Sequence, residues 1–73
     1  MVNTKLARDY VKKSGKKYKH IAEKMQLTPY SLTKKLENKS PISTKEVSIF
    51  CKEIGIKDEK LMLEIFFPNT NLM

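Results

Sequence analysis

Signals for the ends of short helices recur along the whole chain, and they constrain the fold more than any other feature. Asn3, Thr28-Pro29, 43-STKE-46 and Asp58 are start signals. In each, a short polar side chain can accept a hydrogen bond from the free amides of a first turn. Pro29 suits the first helical position, and Ser43 with Glu46 forms a capping box, each side chain accepting from the other's backbone amide. Ser14-Gly15, Glu37-Asn38, Gly55 and Pro68 are stop signals, because Gly and Asn enter the left-handed region cheaply and Pro cannot continue a helix.

Between these signals the apolar residues repeat with helical period. A first helix over about residues 4–13 carries Leu6, Ala7, Tyr10 and Val11 on one stripe; a second, over about 17–25, carries Tyr18, Ile21, Ala22 and Met25 and leaves Lys19, His20, Glu23 and Lys24 wet. The third starts at Thr28 and stops near residue 37. The fourth, after the capping box, turns Val47, Phe50, Cys51 and Ile54 inward up to Gly55, and the fifth covers 59–67 before Pro68. The expected architecture is all-α: a compact five-helix domain over residues 1–67, with a frayed tail at 68–73 in which Leu72 and Met73 can still pack.

A chain of 73 residues buries only roughly 60% of the surface it exposes when unfolded, so the core is small and a partner subunit would add to it. The fifth helix is rich enough in apolar residues to need one. Leu61, Ile65 and Met62 complete the core, while Leu63, Phe66 and Phe67 are left for a two-fold partner, the alternative being that both phenylalanines fold back within the monomer.

Composition removes several function classes. No apolar run approaches the ~18 residues of a membrane span and no signal peptide is read at the start, so neither a membrane partner nor export is expected. A single cysteine, Cys51, fits a core thiol in a reducing cytosol, and with one histidine beside it there are too few ligands for structural zinc. No nucleophile–base pair, metal cluster or glycine-rich phosphate loop is present, so no enzyme, cofactor or small-molecule substrate is expected.

Charge is more informative. Residues 1–42 hold eleven Lys or Arg against three acids, an excess of eight; residues 43–73 hold four against five, which brings the net charge to +7. Lysines 12, 13, 16, 17 and 19 crowd the junction of the first two helices. A basic excess confined to one half of so small a domain points to a polyanion on that face; the alternative is a lysine-rich surface with no partner.

On a wheel of 100° per residue, Leu32 and Leu36 mark the buried side of the third helix, and Tyr30 and Lys34 the opposite side, flanked by Ser31, Thr33 and Glu37. A purely solvent-facing helix favours Glu, Lys and Ala. This face offers hydroxyls, a ring and a cation, groups that hydrogen-bond base edges or phosphates or touch a thymine methyl. Ala22, small enough for a second helix to approach its backbone, and Ile21, Met25, Leu27, Leu32 and Leu36 then read as the joint of a helix-turn-helix.

The ordered set Ile21, Ala22, Met25, Leu27, Thr28, Leu32, Leu36, Asn38, Lys39 and Ser40 resembles the Cro/CI type of phage helix-turn-helix regulators, also called the XRE-like family, and is especially similar to short Cro-like proteins of phages of Gram-positive hosts. The resemblance covers residues 6–67 and implies a lambda-repressor-like DNA-binding domain acting on double-stranded DNA, without cofactor, as a homodimeric transcription regulator in the bacterial cytoplasm at the nucleoid. By this resemblance the base-reading positions are Pro29, Tyr30 and Lys34, with Ser31 and Thr33 nearby. The phosphate-gripping positions are Lys17, Tyr18, Lys35, Asn38, Lys39 and Ser40. The chain departs from the family pattern in having Gln26 where the turn often has Gly, and Pro29-Tyr30 where the first reading positions are often polar. A second expectation, of a different class, is a protein-interaction module such as an antirepressor, binding its partner through the fifth helix.

Overall fold

The computed structural model describes residues 1–68. It contains five α-helices in chain order, α1 (Thr4–Ser14), α2 (Tyr18–Lys24), α3 (Pro29–Leu36), α4 (Thr44–Ile54) and α5 (Glu59–Phe66), and no strand among the described residues. Among the described residues no helix is long and apolar enough to cross a membrane. Of the expected tail only Pro68 is included; Leu72 and Met73 lie outside the described residues.

The caps form where the side chains dictate. Asn3 accepts from the Leu6 amide at 3.2 Å, Thr28 from Ser31 at 3.1 Å, and Asp58 from Lys60 at 2.9 Å. Ser43 and Glu46 complete the reciprocal box, at 3.1 and 2.9 Å. Helix α2 is one residue shorter at each end than the apolar period suggests, because Lys17 has no acceptor with which to cap and Met25 has already left helical geometry at ψ 0. Helix α5 likewise ends at Phe66, with Phe67 turned out of the helix.

Four helix exits use the left-handed region. Gly15 and Gly55 enter it at φ 76 and 78, Gln26 and Asn38 at φ 60 and 64. After Gln26 the Leu27 amide donates to the Ala22 carbonyl at 2.8 Å, and after Asn38 the Lys39 amide donates to Lys34 at 2.9 Å, two Schellman closures without glycine. The first of these fixes the angle at which α3 leaves α2.

Helix α2 packs against α3 and α4, while α1 packs against α4 and α5. Ala22 is fully buried, and Ile21, Met25, Leu32 and Leu36 close over it, so the small side chain lets α3 lie near the α2 backbone. The α4 stripe of Val47, Phe50, Cys51 and Ile54 is buried as its spacing requires, and burial pushes the Cys51 thiol up to about 11, leaving it protonated and inert.

Phe66 corrects one expectation. Expected at a dimer contact, it is instead 2% exposed and meets Phe50 edge to face, ring centroids 5.4 Å apart. Met62, Ile65 and Phe66 meet the core from α5; Leu63 is half-buried, and Phe67, past the end of the helix, is exposed. Only these two remain as the outward apolar residues of the three first named.

The N-terminal residues act as a strap. Val2 is buried, and its amide and carbonyl pair with the two ends of the Asn38 side chain at 2.7 and 2.9 Å. The Asn3 amide donates to Ile65 at 2.6 Å, and the Thr4 hydroxyl to Leu36 at 2.6 Å. The Leu36 carbonyl at the C-terminal end of α3, one of those a helix leaves unpaired, is thus bound to the start of α1.

Candidate functional site

Helix α3 is held on three sides: by α2 beneath it, by the N-terminal strap at its C-terminal end, and by the loop to α4. What remains outward is Pro29, Tyr30 and Lys34 with the edges of Thr33 and Glu37. Tyr30 is 72% exposed, one of the most exposed large apolar residues of the described chain. The Lys34 ammonium sits over its ring, 5.4 Å from the centroid, within cation–π range. Ring and cation therefore form one projecting unit.

The flanking hydroxyls are less free than their types suggest. Ser31 Oγ accepts from the Thr28 hydroxyl at 3.0 Å, inside the N-cap. Thr33 turns to the other side of α3, where it shares a shallow depression with Arg8, Tyr18 and Leu36. Of the five residues expected to read bases, the structure gathers Pro29, Tyr30 and Lys34 on the projecting surface and puts Ser31 and Thr33 on its two shoulders.

The expected phosphate contacts divide more sharply. Lys17 is exposed at the start of α2, and Tyr18 beside it is half-buried, its ring packed against the core. Burial raises the Tyr18 phenol above its ordinary value; Arg8 opposes this and Glu37 adds to it. The hydroxyl therefore stays protonated and serves as a neutral donor. Lys39 is 67% exposed, with Glu37 at 3.4 Å, a surface pair that costs little to open. Ser40 follows it, half-buried.

Two expected contacts are engaged elsewhere. Lys35 donates to the Pro41 carbonyl at 2.7 Å and lies 3.3 Å from Glu46, with only 17% of its side chain exposed. It clamps the loop between α3 and α4, since the wheel turns it toward α4 rather than outward. Asn38 binds Val2 through both ends of its side-chain amide and so fastens the strap, yet it is exposed and keeps a second amide hydrogen and a second carbonyl lone pair for a ligand.

The residue types alone did not point to Arg8. Its guanidinium pairs with Glu37, which Lys39 approaches from the other side, so the one acid of the α3 region is bracketed by two cations. A lone acid within a basic segment was the available signal, but its partner lies 29 residues away. His20, expected to be wet, is exposed and lies 3.4 Å from Glu53, which Lys16 also approaches.

The site is convex. It can insert a ring and a cation into a groove, with donors at Lys17, Tyr18 and Lys39 to either side, and it has no enclosed cavity for a small molecule among the residues just named. Comparison with known protein families, curated proteins and solved structures finds no match.

Proposed function

We propose that this protein is a sequence-specific regulator that binds double-stranded DNA, with α2 and α3 as its helix-turn-helix and α3 as the helix that enters the major groove. The observation that carries the reading is the outward face of α3. Its C-terminal end is tied to the N-terminal strap, yet its outward face presents Pro29, Tyr30 and Lys34 in place of ordinary solvent-facing residues. In this reading Lys17, Tyr18 and Lys39 grip the backbone beside that groove. The positive excess of residues 1–42 supplies long-range attraction for the phosphates.

The active form in this reading is a homodimer in the bacterial cytoplasm, with two copies of α3 in successive major grooves about 34 Å apart. Leu63 and Phe67 are its contact residues. Output then depends on concentration and operator affinity, by occlusion of a promoter.

The test is selection from random duplex DNA at physiological salt, with Tyr30→Ala and Lys34→Ala alongside wild type. A dyad-symmetric site enriched by wild type and lost by both variants supports the reading. Weak binding that is blind to sequence and unchanged in both variants rejects it.

A second reading, the protein-interaction module, is favoured by one observation: Met1 and Phe67, 81% and 37% exposed, are apolar and outward. Here Phe67→Ser abolishes partner capture, and DNA affinity never exceeds that of a generic basic protein.

A further inference from the structure

The leading part of the α3 face is apolar. Pro29 has no side-chain donor or acceptor, and Tyr30 beside it is 72% exposed. One turn on, Lys34 reaches back so that its ammonium lies 5.4 Å from the ring centroid, held by the negative face of the π-system. The other polar groups nearby are already engaged: Ser31 with Thr28, Glu37 with Arg8 and Lys39, while Thr33 faces Tyr18 and Arg8. An apolar platform and one fixed cation are what this face has left with which to read a base pair.

Their separation is of the order of one to two base steps, since successive base pairs rise about 3.4 Å. In the major groove, the apolar group on a base edge is the pyrimidine C5 methyl, carried by thymine, and the acceptor pair that lysine satisfies best is guanine O6 and N7. We propose that α3 reads a C5-methylated pyrimidine and a guanine on adjacent base pairs. Pro29 and Tyr30 cover the methyl group, and Lys34 donates to the guanine. Tyr30 thereby has two roles, as a contact to the methyl and as the positioning residue for Lys34.

This inference rests on α3 being the reading helix, and the experiment separates the two. A site is first selected from random duplexes. Its thymines are then replaced one at a time by deoxyuridine, which lacks the methyl, and its guanines by 7-deazaguanine, which lacks the N7 acceptor of the pair. Binding is followed by fluorescence anisotropy. One uridine position per half-site is expected to weaken binding roughly fourfold, the worth of one methyl group leaving water. The adjacent pair is expected to carry a guanine whose replacement weakens binding roughly fivefold or more.

Lys34→Ala should erase the guanine effect and keep the uridine effect. Tyr30→Ala should erase the uridine effect and reduce the guanine effect, whereas Tyr30→Phe keeps both. Where the selected site has cytosine at the sensitive position, its 5-methylation should restore the affinity that thymine gives. A selected site insensitive to every uridine replacement, or one whose sensitive thymine has no sensitive guanine beside it, overturns this inference and leaves the regulator reading standing. Failure to select any site overturns both.

Discussion

Asn38 combines two properties that no other residue type supplies together. Its backbone sits at φ 64, where a residue with a Cβ loses about 1 kcal/mol unless its side chain bonds locally, and its amide binds both polar groups of Val2. Asn38→Gly keeps the backbone and loses the two hydrogen bonds, worth about 1 kcal/mol each. Asn38→Ala loses both. In urea denaturation the expected order of stability is wild type, then Gly, then Ala, with Ala up to about 1 kcal/mol below Gly; equal losses would mean that the strain is no larger than the cost of glycine's freedom in the unfolded chain. Gln26, at φ 60 and exposed, is the control without side-chain bonds. Gln26→Gly should raise stability by up to about 1 kcal/mol, the relief of strain being partly offset by the greater freedom of glycine in the unfolded chain. That Asn38 would end its helix is legible from residue type. That it would fasten the N-terminus is not, because the partner is 36 residues away and Val2 alone carries no pattern.

The element whose formation is most visible in the sequence is α4, since a capping box is a local device. Glu46 serves it twice, accepting from the Ser43 amide and standing beside the Lys35 ammonium. Its carboxyl is held below the ordinary carboxylate value chiefly by the Ser43 backbone hydrogen bond; burial opposes this, and Lys35 adds to the lowering. With the folded value depressed, the unfolded chain binds more protons in the acid range, so stability rises with pH there. The contribution is complete above the unfolded value of about 4.3 and is lost as pH falls through the folded one. Glu46→Gln should therefore lower stability at neutral pH and flatten its decline in acid, as read from urea midpoints between pH 3 and 7; parallel curves for variant and wild type would reject the linkage. Helix ends are legible at this scale because caps act within one turn. The facing of α5 is harder to read, since five of its eight residues are apolar and the ring that receives Phe66 edge to face belongs to Phe50 on another helix.

At the scale of the whole molecule, the net charge says that a polyanion is attracted but not which cations touch it, because that depends on how the chain has already used them. Composition treats Lys17, Lys35 and Lys39 alike. In the folded domain Lys17 is exposed, Lys39 has only an open surface pair with Glu37, and Lys35 is held by the Pro41 carbonyl and Glu46. A bound phosphate displaces counterions only where a protein cation reaches it, and each such contact contributes about −0.9 to the slope of log K against log salt. In a dimeric complex every such lysine counts twice, so Lys17→Ala and Lys39→Ala should each make the slope shallower by about 1.8, with equal loss on selected and unrelated duplexes. Lys35→Ala should weaken folding by loosening the loop between α3 and α4, yet leave the slope of the folded protein unchanged. Measured at salt concentrations from 50 to 300 mM, where ~100 mM corresponds to a Debye length of about 10 Å, the three slopes distinguish contact from mere proximity. A Lys35→Ala slope that falls as far as the other two would show that DNA draws this lysine away from Glu46, and the clamp would then open on binding.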